Sequence, residues 1–245
     1  MQGPLQFEIH TVESVKSTNT TVKDLAKNGA PEGYVLTAAQ QTNGRGRMNR
    51  VFFSPKGTGL YCSILLRPTV PLPPAALTCM SAVAVSETID RFQIDNQIKW
   101  VNDVYVNGKK AVGILTEGAF ASDGSYQYAV IGIGVNLFQP VDGFPENIRD
   151  IATSVFSAAP DDALRKTFLH RMLQRIKYYY EQLPETPFLP FYRERQMIYQ
   201  RSILFSDADG IKRGTAVGID DAFRLLVQTV DGTVHAVERG DVSVL

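Results

Sequence analysis

The stretch Gln41-Thr42-Asn43-Gly44-Arg45-Gly46-Arg47-Met48-Asn49-Arg50 sets three arginines and two glycines in a short polar run. Glycine admits backbone angles that other residues resist and leaves N–H groups open to a ligand. Arginine forks onto carboxylate or phosphate oxygens. The pair of residue types suits anion capture on a loop able to move. The same spacing equally fits a solvated polar turn or a Gly-Arg patch contacting RNA. A second stretch is Lys99-Trp100-Val101-Asn102-Asp103, a lysine inside a β-rich apolar segment. Lysine is seldom buried without a partner, so at the active face of a sheet it would hold a carboxylate and later a developing phosphate charge. The plainer alternative is a surface lysine laying its stem over apolar neighbours. A third group is Gly113 with Gly132-Ile133-Gly134-Val135-Asn136. Glycine within a strand marks close approach of a ligand or another backbone. It is not a dinucleotide fingerprint, because Leu137 stands where the third glycine belongs. Phosphate-loop, HExxH and GxSxG signatures are also missing.

These residues need elements to hold them. Residues 5–13 alternate loosely as a first strand. Ser17-Thr18-Asn19 then caps a helix carrying Val22, Leu25 and Ala26, and Asn28-Gly29 stops it. Residues 34–39 read as a buried strand, residues 40–50 as the arginine loop, and residues 58–67 as another strand. Pro73-Pro74 opens a helix with an apolar face at Leu77, Met80, Val83, Ala84 and Ile89. Residues 97–106 read as one strand, turned by Asn107-Gly108 into a return strand over 111–117, with a further strand over 128–137. Hairpin links dominate, so the pattern predicts a mostly antiparallel sheet flanked by helices. Residues 161–183 carry the clearest helical stripe, and a short helix follows near 189–198. From Ser202 short strands alternate with the turns Asp209-Gly210, Asp220-Asp221 and Asp231-Gly232, the texture of a small barrel of about five strands. The boundary falls near residue 200, giving a catalytic unit over 1–200 and an appendage over 201–245.

Composition narrows the classes. The 245 residues carry 25 Lys plus Arg against 25 Asp plus Glu, a formal net charge of zero. That balance argues against a dedicated nucleic-acid binder. Cys62 and Cys79 show no metal-ligand spacing and read as buried thiols. Met1–His10 has no signal-peptide pattern, and no apolar run reaches the length of a membrane helix. The expected location is the cytoplasm, without membrane contact.

Taken in order, Ser17-Thr18-Asn19, Gln41-x-x-Gly44-Arg45-Gly46-Arg47, Lys99-Trp100-x-Asn102-Asp103, Gly113-Ile114-Leu115-x-Glu117 and Gly132-x-Gly134-x-Asn136 resemble the biotin–protein ligases along nearly the whole chain. Lipoate ligases share the fold but carry a different arginine-glycine motif. The resemblance implies an α+β catalytic domain like that of class II aminoacyl-tRNA synthetases, with a C-terminal SH3-like barrel. It implies that ATP, with Mg²⁺, activates biotin as its adenylate, and that a lysine of a biotin carboxyl carrier domain receives it. Residue by residue, it implies that Ser17, Thr18, Asn19, Gln41, Gly44, Arg45, Gly46, Gly113 and Gly132 bind biotin. Arg47 and Lys99 would be catalytic and touch both biotin and nucleotide. Arg50, Phe52, Asn102 and Asn136 would contact ATP. It names no magnesium ligands and admits a homodimer. Two features depart from the pattern. Phe52 stands where the family usually has a tryptophan, and the chain ends where some members carry a nucleotide-contacting arginine. Some bacterial members begin with a helix-turn-helix domain. The 16 residues before Ser17 are too few for one, so no specific DNA partner is expected.

Overall fold

The structure is a computed structural model that describes residues 4–207, 210–238, 240 and 242–245. A seven-stranded sheet carries the order β1-β2-β3-β7-β6-β5-β4. Its strands are β1 (Glu8–Val15), β2 (Tyr34–Gln41), β3 (Gly59–Leu66), β4 (Asn96–Lys99), β5 (Asp103–Val106), β6 (Lys109–Phe120) and β7 (Tyr126–Asn136). All neighbours are antiparallel except β1 and β2, which run parallel. Helix α1 (Thr18–Lys27) makes that crossover.

The sheet's two faces have different fates, because successive side chains point to opposite sides. Cys62, Ile64, Ile98, Val104, Val112, Ile114, Ile131, Ile133 and Val135 all join the main core. That face is covered by α2 (Ala76–Asp90), with α3 (Asp162–Tyr180) and α4 (Leu189–Glu194) packed on α2. α2 is buried almost all round, as a helix between a sheet and a second helical layer must be. On the other face α1 seats Val22 and Ala26 against Leu36, Leu65, Tyr128 and Val130. It covers only part of that face. Around and beyond its N-terminus the opposite-parity residues of β7 and β6 include Gly132, Gly134 and Gly113, and no described helix extends over them.

The sequence pattern over 97–106 predicts one strand, and the structure breaks it in two. Trp100, Val101 and Asn102 form a turn that pairs Lys99 with Asp103. Trp100 and Val101 are buried in the core instead of extending the ladder. Their apolar character reflects that burial, which is why the stretch imitates a continuous strand. The helix predicted over 161–183 is capped by Asp161 and ends at Tyr180. The one near 189–198 stops at Glu194.

The C-terminal segment forms a five-stranded antiparallel sheet, β11-β10-β9-β8-β12. The strands are β8 (Ser202–Asp207), β9 (Gly210–Ile219), β10 (Leu225–Gln228), β11 (Val234–Val237) and β12 (Val242–Val244). The sheet curls, so that Phe205 of β8 meets His235 of β11 with ring centroids 5.6 Å apart. Turns at Asp220 and Asp231 match the predicted ones. Met1–Gly3 and Asp209 of the third predicted turn lie outside the described residues. The two sheets share a core: Phe188 stacks on Phe223, centroids 5.6 Å apart, and Trp100 Nε1 donates to the Phe223 carbonyl at 3.0 Å. No described helix is long and apolar enough to cross a membrane.

Candidate functional site

The sheet face that α1 only partly covers holds a cavity of about 390 Å³, a small-molecule scale. Glycine creates its floor. Gly113 and Gly134 lie opposite each other across β6 and β7. A Cβ on Gly134 would stand 2.6 Å from the Phe52 ring, and one on Gly113 would stand 3.1 Å from it. The Phe52 ring therefore lies over the two strands only because both positions lack side chains. A Cβ on Gly132 would stand 2.2 Å from Asn19 Oδ1, so the third glycine admits the start of α1.

That helix start is held by polar contacts. Ser17 caps α1, and Ser17, Thr18 and Asn19 are all buried. The Thr18 N–H donates to Gln41 Oε1 at 2.9 Å, and the Thr18 hydroxyl donates to the same oxygen at 3.1 Å. Gln41 Nε2 donates to Ser54 Oγ at 3.0 Å, so the amide is fixed at both ends. Ser63 Oγ lies 2.8 Å from Thr18 Oγ1 and 2.7 Å from Asn19 Oδ1. Such a fully engaged network rigidifies a site.

The arginine loop forms one wall. It is a small hairpin: Arg45 bridges Val51, Gly46 N–H donates to Arg50 O, and Phe52 N–H donates to Gly44 O. Arg45, Gly46, Arg47 and Arg50 line the cavity. Gly44 does not. It is buried behind the wall, where a Cβ would stand 2.4 Å from the Phe52 carbonyl oxygen. Arg45 Nη1 donates to Glu117 Oε2 at 3.2 Å. Arg47 Nη1 donates to Asn102 Oδ1 at 3.0 Å, and its Nη2 donates to the Gly240 carbonyl at 2.9 Å.

The β4–β5 hairpin, which meets the loop where Arg47 reaches Asn102, supplies a second part of the lining. Lys99 ends β4, half-buried, on the cavity face. Asn102 is locked by its Nδ2 bond to Ile114 O at 2.9 Å. Asn136 Nδ2 donates to Thr153 O at 3.1 Å. Both asparagines reach the cavity lining while tied to protein acceptors.

Several groups in or beside the cavity were not among the predicted site residues. Glu117 accepts from Lys23 and Asn19 as well as Arg45. Asp103 pairs with Lys110 at 2.7 Å. Residues Ile148, Ile151 and Ala152 close one side from a loop with no periodic pattern. Cys62 also touches the cavity, but burial pushes its thiol up to about 12, so it is inert as a nucleophile near neutral pH. Little in the sequence reveals these groups, except that Asp103 closes the Lys99-Trp100-x-Asn102-Asp103 motif and Glu117 closes the Gly113-Ile114-Leu115-x-Glu117 motif.

The profile of the Biotin/lipoate A/B protein ligase family matches residues 11–136, and that of the Biotin protein ligase C terminal domain matches residues 201–245. The chain is 38% identical over 223 residues to the bifunctional ligase/repressor BirA of Bacillus spizizenii, covering 89% of this chain and 68% of that one. It is 29% identical over 248 residues to the biotin–[acetyl-CoA-carboxylase] ligase of Mycobacterium tuberculosis, covering 96% and 88%. The Aquifex aeolicus biotin protein ligase, solved in complex with biotin and ATP, superposes with a TM-score of 0.81 at 28% identity, covering 97% of this chain and 98% of that one. The chain belongs to the biotin/lipoate A/B protein ligase family and carries the C-terminal domain of its biotin protein ligases.

Proposed function

We propose that this chain is a biotin–[acetyl-CoA-carboxylase] ligase. It activates biotin with ATP as biotinyl-5′-AMP and transfers the biotinyl group to a lysine of a biotin carboxyl carrier domain. The observation that carries the reading is the glycine-floored cavity with Lys99, Arg45 and Arg47 at its edge, in a fold that superposes over almost its whole length on a ligase solved with biotin and ATP.

The chemistry needs that charge. In the first step a carboxylate oxygen attacks the α-phosphorus of ATP, the P–O bond to the β-phosphate breaks, and pyrophosphate leaves. Two anions must meet, so fixed cationic donors that offset their repulsion lower the barrier. In this reading Lys99 meets the biotin carboxyl end and the α-phosphate, while Arg47 and Arg50 face the phosphates. Ser17, Thr18, Asn19, Gln41, Gly113 and Gly132 border the ring system of biotin, and the Phe52 ring stacks near the nucleotide. In the second step the amine of the carrier lysine attacks the acyl carbon and AMP departs as the leaving group. The mixed anhydride hydrolyses readily, and a loop closing over it keeps water away until the carrier arrives.

Among the described residues, no cluster of three or more histidine, cysteine, aspartate or glutamate side chains is placed to hold a metal ion. The described side chains alone therefore form no magnesium cage. Supplied together with ATP, Mg²⁺ would offset phosphate charge. The neutral chain has no basic excess for an operator, and we place its work in the cytoplasm. The family includes lipoate ligases, so the acyl group is the property to test. Incubation with ATP and Mg²⁺ is expected to release pyrophosphate with biotin and not with lipoate. Release with lipoate alone would reassign the substrate, and release with neither would remove the adenylating activity.

A further inference from the structure

Glu117 stands on β6 beside the cavity without a role in the chemistry above. Three groups converge on its carboxylate: Lys23 Nζ on Oε1 at 2.7 Å, Asn19 Nδ2 on Oε2 at 3.1 Å and Arg45 Nη1 on Oε2 at 3.2 Å. Burial works against its charge, but the bonds from Lys23 and Asn19 and the charges of Lys23 and Arg45 outweigh that and hold the carboxyl below its ordinary range. α1 thus anchors the carboxylate, and the carboxylate in turn anchors the loop. Two cations share one anion, so the cluster keeps a surplus positive charge beside the cavity.

Arg45 is gripped by one arm. Among the described residues its Nε and Nη2 meet no acceptor, its side chain is 38% exposed, and it lines the cavity. A guanidinium is rigid and planar, so fixing one N–H fixes the direction of the others. We propose that Glu117 is a positioning residue for anion capture. It holds Arg45 through Nη1 so that the remaining edge of the guanidinium is presented to an oxyanion in the cavity, the carboxylate of biotin or a phosphate of ATP. The identity of the anion rests on the ligase reading; the one-armed grip does not.

The test uses Glu117→Gln, which keeps an acceptor for Asn19 but removes the charge. Affinities are measured by calorimetry for biotin, for biotinol (the same rings with an alcohol in place of the carboxylate) and for inorganic pyrophosphate. The expected result is unchanged biotinol binding with biotin or pyrophosphate weakened roughly 3- to 10-fold, the scale of one modest charge-assisted contact. Loss for biotin identifies the carboxylate as the anion, and loss for pyrophosphate identifies the phosphate. The same substitution made in an Arg45→Ala background is expected to cost nothing further, since the pair acts as a unit. Equal weakening of biotinol would show that Glu117 serves only to support Asn19. Unchanged or tighter binding of both anions, or a loss that persists without Arg45, would also overturn the proposal. Failure of the wild-type protein to bind either biotin or biotinol would instead sink the ligase reading.

Discussion

Lys99 is the last residue of β4, and its strand neighbour on the core side, Ile98, is fully buried. Alternation along the strand therefore commits Lys99 to the cavity face, and the Trp100–Asn102 turn ends the strand there. The lysine stands out in an apolar run because Trp100 and Val101, which follow it, are buried in the turn rather than paired in a ladder. We expect Lys99→Ala to lower single-turnover adenylate formation by a factor on the order of 10²–10³, the cost of one fixed transition-state donor. The fold should survive, because the side chain is only half-buried and is not part of the apolar core. Rapid-quench measurement of biotinyl-5′-AMP at saturating biotin checks this, with circular dichroism as the fold control. A rate within a few-fold of wild type would make Lys99 a structural residue.

The arginine loop is the element on which the reading depends next. Its hairpin is small, with Met48 and Asn49 both at positive φ and Met48, Val51 and the Arg50 side chain exposed. Its anchors differ in kind: Arg45 reaches β6 at Glu117, whereas Arg47 reaches both the β4–β5 turn at Asn102 and the C-terminal segment at Gly240. An anion bridging the arginines would add charge-assisted bonds to these few. Limited trypsin digestion should therefore cut the free protein after Arg45, Arg47 or Arg50, since exposed loops are where nicking concentrates. Biotin with ATP should slow those cuts strongly, and biotin alone in part. Equal rates with and without ligands would mean that the loop does not close. The loop's residue types were legible because glycine and arginine carry their chemistry in their composition. Its acceptors were not: Glu117 lies 72 residues away from Arg45, and only the register of β6 against β7 brings it to the same face. The facing of Gly113 and Gly134 is hidden for the same reason, since it is set by the register of β6 against β7 rather than by any local motif. The expectation of a mostly antiparallel sheet holds, and the parallel pairing of β1 with β2 has no local signal because α1 reads as an isolated amphipathic helix.

At the scale of the whole molecule, the two sheets are joined through the residues next to the cavity. The single tryptophan, Trp100, follows Lys99 directly, is 3% exposed, and bonds to the Phe223 carbonyl of the C-terminal unit. Phe223 itself is 1% exposed, stacks on Phe188 and lies edge-on to Tyr192. Tyr192 in turn donates to the Val101 carbonyl at 3.0 Å. The turn that presents Lys99 is thus packed from behind by the C-terminal unit, with Arg193 tying α4 to the Ile219 carbonyl at 2.8 Å. A shared core of this kind predicts one cooperative unfolding transition rather than two, because neither sheet can lose its partner without exposing buried aromatics. Trp100 fluorescence and far-UV circular dichroism should give superimposable denaturation curves. Phe223→Ala should cost about 3–5 kcal/mol, the range for emptying a buried phenylalanine site, and should shift both curves together. It should also lower adenylate formation more than biotin affinity, since the cavity floor at Gly113, Gly132 and Gly134 belongs to β6 and β7 while Lys99 stands on the turn behind which Phe223 packs. Two separated transitions in the wild-type protein, or a Phe223→Ala variant whose fluorescence curve moves while its circular dichroism curve stays, would show that the C-terminal sheet unfolds alone and that the turn bearing Lys99 does not depend on it.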